Sequence, residues 1–358
     1  MRRHFPALVV MALLATNLHA QQKPPDIERT LVAGGQGYFP VALRLKDGRM
    51  AVVMRGGAPH LGRAGRLDIV FSSDEGKSWT NPTVVADSPA DDRNPALGQA
   101  ADGTLVVAFW RTDRYDEQGR YRPNLNKPVN TWVTRSADGG KTWSAPAEID
   151  VSDIGYGSPY GRMITLDDGA MLMNIYGGAV RPSDFKGDCS YIYRSDDAGK
   201  AWKRFATPGA RGFNETALLR LKSGALLAAM RSDSQQQIFL TESRDEGKTW
   251  SEPKKLTPPQ VHPADMILLS DGRVLMVVGH RAGPMGVCAL VGNERGEFAW
   301  DQRSFIVDDA TNGDCGYPSS VLLKDGRVLT AYYAVGSKRF ADWGTHCGAA
   351  VHRVSPAP

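Results

Sequence analysis

Short apolar runs that turn back on themselves recur along almost the whole chain. Leu43-Arg44-Leu45-Lys46-Asp47-Gly48-Arg49-Met50-Ala51-Val52-Val53 reads as a strand, a tight Asp-Gly turn and a second strand, a strong short-range hairpin signal. The unit returns around Asp102-Gly103, Asp168-Gly169, Ser223-Gly224, Asp271-Gly272 and Asp325-Gly326. Six hairpins spaced by roughly fifty residues are what radially repeated β-sheets require. Beyond the first twenty or so residues no helical periodicity appears. The pattern predicts an all-β fold, a six-bladed β-propeller of four-stranded antiparallel blades.

A second signal alternates with the hairpins. Ser72-Ser73-Asp74-Glu75-Gly76-Lys77-Ser78-Trp79 is echoed by segments beginning at Ser136, Ser195 and Ser243 and ending at Trp143, Trp202 and Trp250. The pattern S-x-D-x-G-x-[ST/A]-W reads as a turn: Ser and Asp bond nearby backbone N–H groups, Gly accepts positive φ and Trp buries a large ring. Third strands precede it, as in Leu67–Phe71 and Thr131–Thr134. In the fifth unit only Gly296 and Trp300 remain of the box. The segment Ile27–Val32 is placed to complete the last blade by ring closure.

The 358 residues carry 43 Lys and Arg against 39 Asp and Glu. No basic run interleaved with aromatics appears, so nucleic acid is not an expected partner. Arg2 and Arg3 precede an apolar stretch from Phe5 to Ala15, and Leu18-His19-Ala20 leads to a polar start at Gln21. This has the form of an export signal over 1–20, with cleavage near Ala20, and the run is too short to span a membrane. The expected product is a single periplasmic or secreted domain, 21–358, a monomer with no membrane association. Cys189, Cys288, Cys315 and Cys347 show no metal-ligand spacing, and neither metal nor cofactor is expected. If one disulfide forms, Cys315 with Cys347 is the pair that falls within the last repeat.

Residues just before each innermost strand crowd around one end of a propeller axis. Those positions read Tyr38-Phe39-Pro40, Arg93-Asn94-Pro95, Tyr160-Gly161-Arg162, Asn214-Glu215, His262-Pro263-Ala264-Asp265 and Cys315-Gly316-Tyr317. Tyrosine, arginine and carboxylate together suit a sugar, with aromatic faces against C–H surfaces and charged groups on hydroxyls or a carboxylate. Tyr38, Phe39, Arg93, Tyr160, Arg162 and Asp265 are therefore candidate substrate contacts.

The four boxes and the blade pattern resemble the sialidase superfamily, whose repeats are also called Asp boxes or BNR repeats. The resemblance spans nearly the whole chain after the signal. It implies that Glu215, opening the fourth blade in Asn214-Glu215-Thr216, activates a nucleophilic tyrosine, Tyr317 in Gly316-Tyr317-Pro318-Ser319-Ser320. It also implies that Arg231 and Arg281, each closing a hairpin, bind a substrate carboxylate. A phenol with a pKa near 10 needs such a base, and sialidases are the tyrosine exception among glycosidases. Two positions depart from the pattern. Phe39 stands where the family has the first arginine of its triad, and the loop from Arg55 to Arg66 lacks the family's acid/base aspartate. His60 in that loop is the substitute acid/base that titrates near neutrality. Asp68, in the next strand, and Asp113, Asp116 and Glu117, in the second-blade loop, are alternative acids. The expected function is an exported, exo-acting glycoside hydrolase, cleaving a terminal acidic, sialic-acid-like sugar with retention. The alternatives are a glycosidase of the same superfamily acting on a uronic acid, rhamnose or arabinofuranose, or a non-catalytic sugar-binding propeller.

Overall fold

The computed structural model describes residues 27–127, 129–178, 187–209 and 211–354. The expected export signal lies outside them. The hairpins fold as predicted: in the first blade Tyr38–Arg44 runs inward beside the axis, Met50–Gly56 returns, and Arg66–Ser72 and Thr83–Ala86 complete the sheet. Inner strands Asp91–Gln99, Ser158–Thr165, Phe213–Arg220, Val261–Leu268 and Cys315–Leu322 open the other five. Ring closure is by Glu28–Gly34, which pairs antiparallel with Thr345–His352 as the outermost strand of the sixth blade.

Four blades are separate four-stranded sheets, while the second and third share one eight-stranded sheet. Their inner strands touch in parallel at Gly161 opposite Ala96 and Arg162 opposite Leu97. A glycine facing an alanine lets the two backbones approach closely enough to bond.

The boxes form the turns their composition predicts. In the first, Ser72 Oγ donates to Asp74 Oδ1 at 2.8 Å, and the Gly76 and Ser78 amides donate to Ser72 Oγ and Asp74 Oδ1 at 2.9 and 3.0 Å. These hydrogen bonds hold the carboxylates of Asp74 and Asp245 down to about 2, the largest coming from Ser78 and Thr249. The box glycine also sets blade spacing: at Gly76 a Cβ would lie 2.1 Å from Leu329 of the sixth blade, and at Gly140 2.4 Å from Phe71 of the first. Any other residue there would push neighbouring blades apart.

All four cysteines are free and buried, so the Cys315–Cys347 pairing is overturned. Cys315 lies opposite Ala334 and Cys347 opposite Tyr333, on either side of the strand Val328–Val335. Two strand spacings separate them by about 10 Å, beyond disulfide reach.

His352, buried at the end of the strand Thr345–His352, has its pKa pushed down to about 4 by burial. The unfolded chain takes up that proton near pH 6.5 while the native state resists it. Native stability therefore falls as pH drops, by about 1.4 kcal/mol per unit until the native site titrates. Unfolding titrations between pH 7 and 4 are expected to show the wild type losing about 3 kcal/mol more than His352→Gln.

Candidate active site

Every inner strand opens with the same irregularity. The ladder to the second strand skips between Tyr38 and Val41, Arg93 and Ala96, Tyr160 and Ile164, Phe213 and Thr216, Val261 and Ala264, and Gly316 and Ser319. Within the skip, Phe39, Asn94 and Tyr317 adopt φ of 55°, 45° and 46°. Left-handed backbone at such residues costs on the order of 1–3 kcal/mol and gathers at functional sites. Each is followed by a proline, Pro40, Pro95 or Pro318, which has no N–H to lose from the ladder. The proline after Tyr317 is thus part of the bulge that sets its side chain. An axial cavity is lined by Phe39, Asn94, Tyr160, Asp265, Tyr317 and Ser319, among others.

At one wall the Tyr317 hydroxyl donates to Glu215 Oε1, and Arg231 Nη1 donates to Glu215 Oε2 at 2.6 Å. Glu215 is 2% exposed and Tyr317 8%. Burial pushes the Tyr317 phenol above its ordinary pKa, the Glu215 charge adds to this, and Arg231 and Arg281 oppose it. Tyr317 therefore rests as a neutral phenol whose proton already points at a carboxylate. Burial alone would lower the Arg231 pKa, but the Glu215 carboxylate beside it raises it overall, so it stays cationic.

The Arg281 guanidinium lies 5.6 Å from the Tyr317 ring centre, and its Nε donates to the Cys315 carbonyl at 3.1 Å. Among the described residues its Nη2, like Arg231 Nε, is buried without a partner. Among the described residues His262 is also orphaned, at both ring nitrogens. Burial and the charges of Arg231 and Arg281 push its pKa down to about 2, so it is a neutral imidazole near both cations.

The opposite wall is aromatic. The Phe39 ring meets Tyr317 edge-on at 4.8 Å and His60 at 5.0 Å, and Tyr38 lies 5.3 Å from Tyr333. The Tyr38 hydroxyl is 3.2 Å from Thr345 Oγ1. His60 Nδ1 faces both Asp314 oxygens at 2.9 and 3.0 Å, and Tyr333 donates to Asp314 Oδ1 at 2.5 Å. Burial would raise the Asp314 pKa, but the His60 and Tyr333 hydrogen bonds and the His60 and Arg281 charges hold it below the usual range.

Other candidates are engaged elsewhere. Arg162 Nη2 crosses the axis to Asp265 Oδ2 at 2.9 Å and the Ser320 carbonyl at 2.6 Å, while the Ser320 amide donates to the same Asp265 oxygen at 2.7 Å. These two side chains tie the third, fifth and sixth blades together. Arg93 pairs with Asp91 at 3.0 Å and is buried over Trp110. Tyr160 donates to the Ala264 carbonyl at 2.8 Å, its ring 6.1 Å from Tyr317. Asp68 is fully buried against Arg66 at 3.0 Å. Asp113 is exposed and paired with Lys127 at 3.1 Å, and Glu117 is exposed on the same loop. Asp116 accepts from Arg120 and Arg122, and these bonds, led by the Arg120 amide, hold it down to about 2. Asp116 is a poor proton donor at neutral pH.

Asp314, Tyr333, Asp188 and Asp233 are absent from the sequence-derived set, and His262 appears there only as part of the fifth-blade entrance, with no role. Asp188 and Asp233, both raised in pKa by burial, lie close enough to feel the Glu215 charge. Asp314 had a signal available, three residues before Tyr317 at the same strand entrance.

The chain matches the family described as the BNR repeat-like domain over residues 40–330. A sialidase of Bacteroides fragilis (strain YCH46) is 25% identical over 224 residues, 55% of this chain and 39% of that protein; the chain thus matches about two fifths of that relative's length. A protein of unknown function from Dyadobacter fermentans DSM 18053 superposes with a TM-score of 0.78 at 23% identity, covering 92% of this chain and all of that one. The Streptococcus pneumoniae NanB sialidase superposes at 0.69 with 13% identity, covering 92% and 71%. At such identities the likeness is one of fold.

Proposed function

The chain belongs to the BNR repeat-like family of the sialidase superfamily, and on that footing we propose that it is an exported, monomeric exo-glycosidase retaining configuration through a Tyr317 glycosyl-enzyme. The observation that carries the reading is the Tyr317–Glu215–Arg231 chain of hydrogen bonds. Glu215 takes the phenolic proton as Tyr317 oxygen attacks the anomeric carbon, and Arg231 steadies the carboxylate before the transfer. Phenolate and carboxylate would otherwise face each other as two anions; proton transfer to Glu215 leaves one. The unpartnered donors of Arg281 and Arg231 suit a substrate carboxylate. His60 is the group that protonates the departing oxygen.

Phe39 favours a second reading within the same class. It stands where the family resemblance implies a carboxylate-binding arginine, and its ring packs on Tyr317, a surface suited to the C–H face of a uronic acid, rhamnose or arabinofuranose unit. Steady-state turnover of an aryl α-sialoside beside a panel of aryl uronides, rhamnosides and arabinofuranosides tests both. Sialoside hydrolysis supports a terminal acidic, sialic-acid-like substrate, and hydrolysis confined to another sugar supports the second reading. Calorimetric sugar binding with no turnover of any glycoside would sink the enzyme reading and leave a sugar-binding propeller.

A further inference from the structure

We propose that Asp314 and Arg55 are positioning residues that make His60 a histidine–aspartate proton shuttle in place of a carboxylic acid, an inference that rests on the glycosidase reading. His60 lies in the loop between Gly56 and Arg66, which has no helix or strand of its own. Such a loop needs an internal anchor to hold a catalytic group still, and Arg55, fully buried at its base, provides it.

Arg55 Nη1 donates to the carbonyls of Ala58 and Pro59 at 3.1 and 2.5 Å, and Nη2 donates to Gly62 at 3.0 Å. Nη2 and Nε also donate to Asp91 Oδ1 at 2.7 and 3.2 Å. A guanidinium has five N–H donors in a rigid fork, and five contacts use that capacity. The carbonyls it holds lie on both sides of His60. Asp91 supplies the countercharge and is shared with Arg93. A lysine could not reproduce this pattern.

From the sixth blade, Asp314 fixes the ring. With Nδ1–H held on the Asp314 carboxylate, the other nitrogen, Nε2, is the proton-exchanging atom. Tyr333 locks Asp314, and the rings of Tyr38 and Phe39 pack against the imidazole and hold it against rotation. His60 is 39% exposed at the side chain, so Nε2 has access to an incoming ligand. Phe39 bridges it to Tyr317.

The proton count closes over two steps. In the first, the imidazolium gives its Nε2 proton to the glycosidic oxygen as the bond to the anomeric carbon breaks. Tyr317 oxygen bonds to that carbon and its proton passes to Glu215. In the second, water attacks the anomeric carbon, its proton goes to His60 Nε2, the bond to Tyr317 breaks and Glu215 returns its proton. The neutral state between the steps is the Nδ1–H tautomer that Asp314 selects, which is the form able to act as base. The same residue therefore serves in both steps without a tautomer change.

Asp314→Asn separates positioning from mere structure. On glycosides with alkyl or sugar leaving groups, which need protonation, kcat/KM is expected to fall about 100-fold; with a nitrophenyl leaving group, which does not, by no more than about threefold. Arg55→Lys is expected to show the same split. An equal loss on both substrate types would overturn the proposal. Nitrogen-15 NMR of selectively labelled histidine gives an arm independent of turnover. Neutral His60 is expected as a single Nδ1–H tautomer in the wild type and as a mixture in Asp314→Asn. A predominantly Nε2–H wild type would overturn the dyad whatever the activity. Absence of turnover on every glycoside would instead refute the enzyme reading, and the tautomer would then decide the dyad alone.

Discussion

Tyr317→Phe is expected to lose at least about 10³-fold in kcat on an activated aryl glycoside while remaining folded. The substitution removes one oxygen from a ring that is otherwise held by Phe39 at 4.8 Å and Tyr333 at 5.6 Å. Glu215 is engaged by both the phenol and Arg231, Tyr160 by the Ala264 carbonyl and Asp265 by Arg162, so none of them stands in for the phenol as nucleophile. Glu215→Gln should behave alike, because an amide accepts the phenol's hydrogen bond but cannot take its proton. For Tyr317→Phe the stability cost should be modest, about 1–3 kcal/mol, because Glu215 loses one donor and keeps Arg231. A Phe variant that turns over at the wild-type rate would remove Tyr317 from the chemistry.

Arg162→Met is expected to destabilise the fold by about 3–5 kcal/mol in denaturant titration. The effect is large because Asp265 is buried, and burial already raises its pKa. Without Arg162 that carboxylate keeps only neutral donors such as the Ser320 amide, and the Ser320 carbonyl loses a donor as well. Replacing both partners, Arg162→Met with Asp265→Leu, should recover part of the loss, since two uncharged side chains need no counterion. A single variant within about 1 kcal/mol of wild type would mean that the axial staple carries little of the packing between blades.

The scaffold was legible because its signals are local. Each Asp-Gly turn and each Ser–Asp–Gly–Trp box is decided within eight residues, and Glu28–Gly34 closes the ring where the unpaired last blade required a strand. Tyr317 and Glu215, named through the family resemblance, are indeed hydrogen-bonded. Position at a strand entrance could not reveal direction. Arg162 and Asp265 have the composition of sugar ligands, yet a bulge turns them across the axis toward each other. Asp314 and Arg55 escaped notice for the opposite reason. Asp314 is separated from His60 by 254 residues, and Arg55 reads as the first residue of a loop until its five donors are counted. The disulfide expectation failed on register: sharing a blade is not enough when a whole strand intervenes.

The most direct test of the central claim is to trap the glycosyl-enzyme with a sugar fluoride bearing a second fluorine beside the anomeric carbon, and to map the adduct by peptide mass spectrometry. The peptide containing Tyr317 is predicted to gain the mass of one glycosyl unit, with no adduct in Tyr317→Phe. Turnover of the trapping sugar with no adduct, or an adduct on Glu215, would contradict the mechanism.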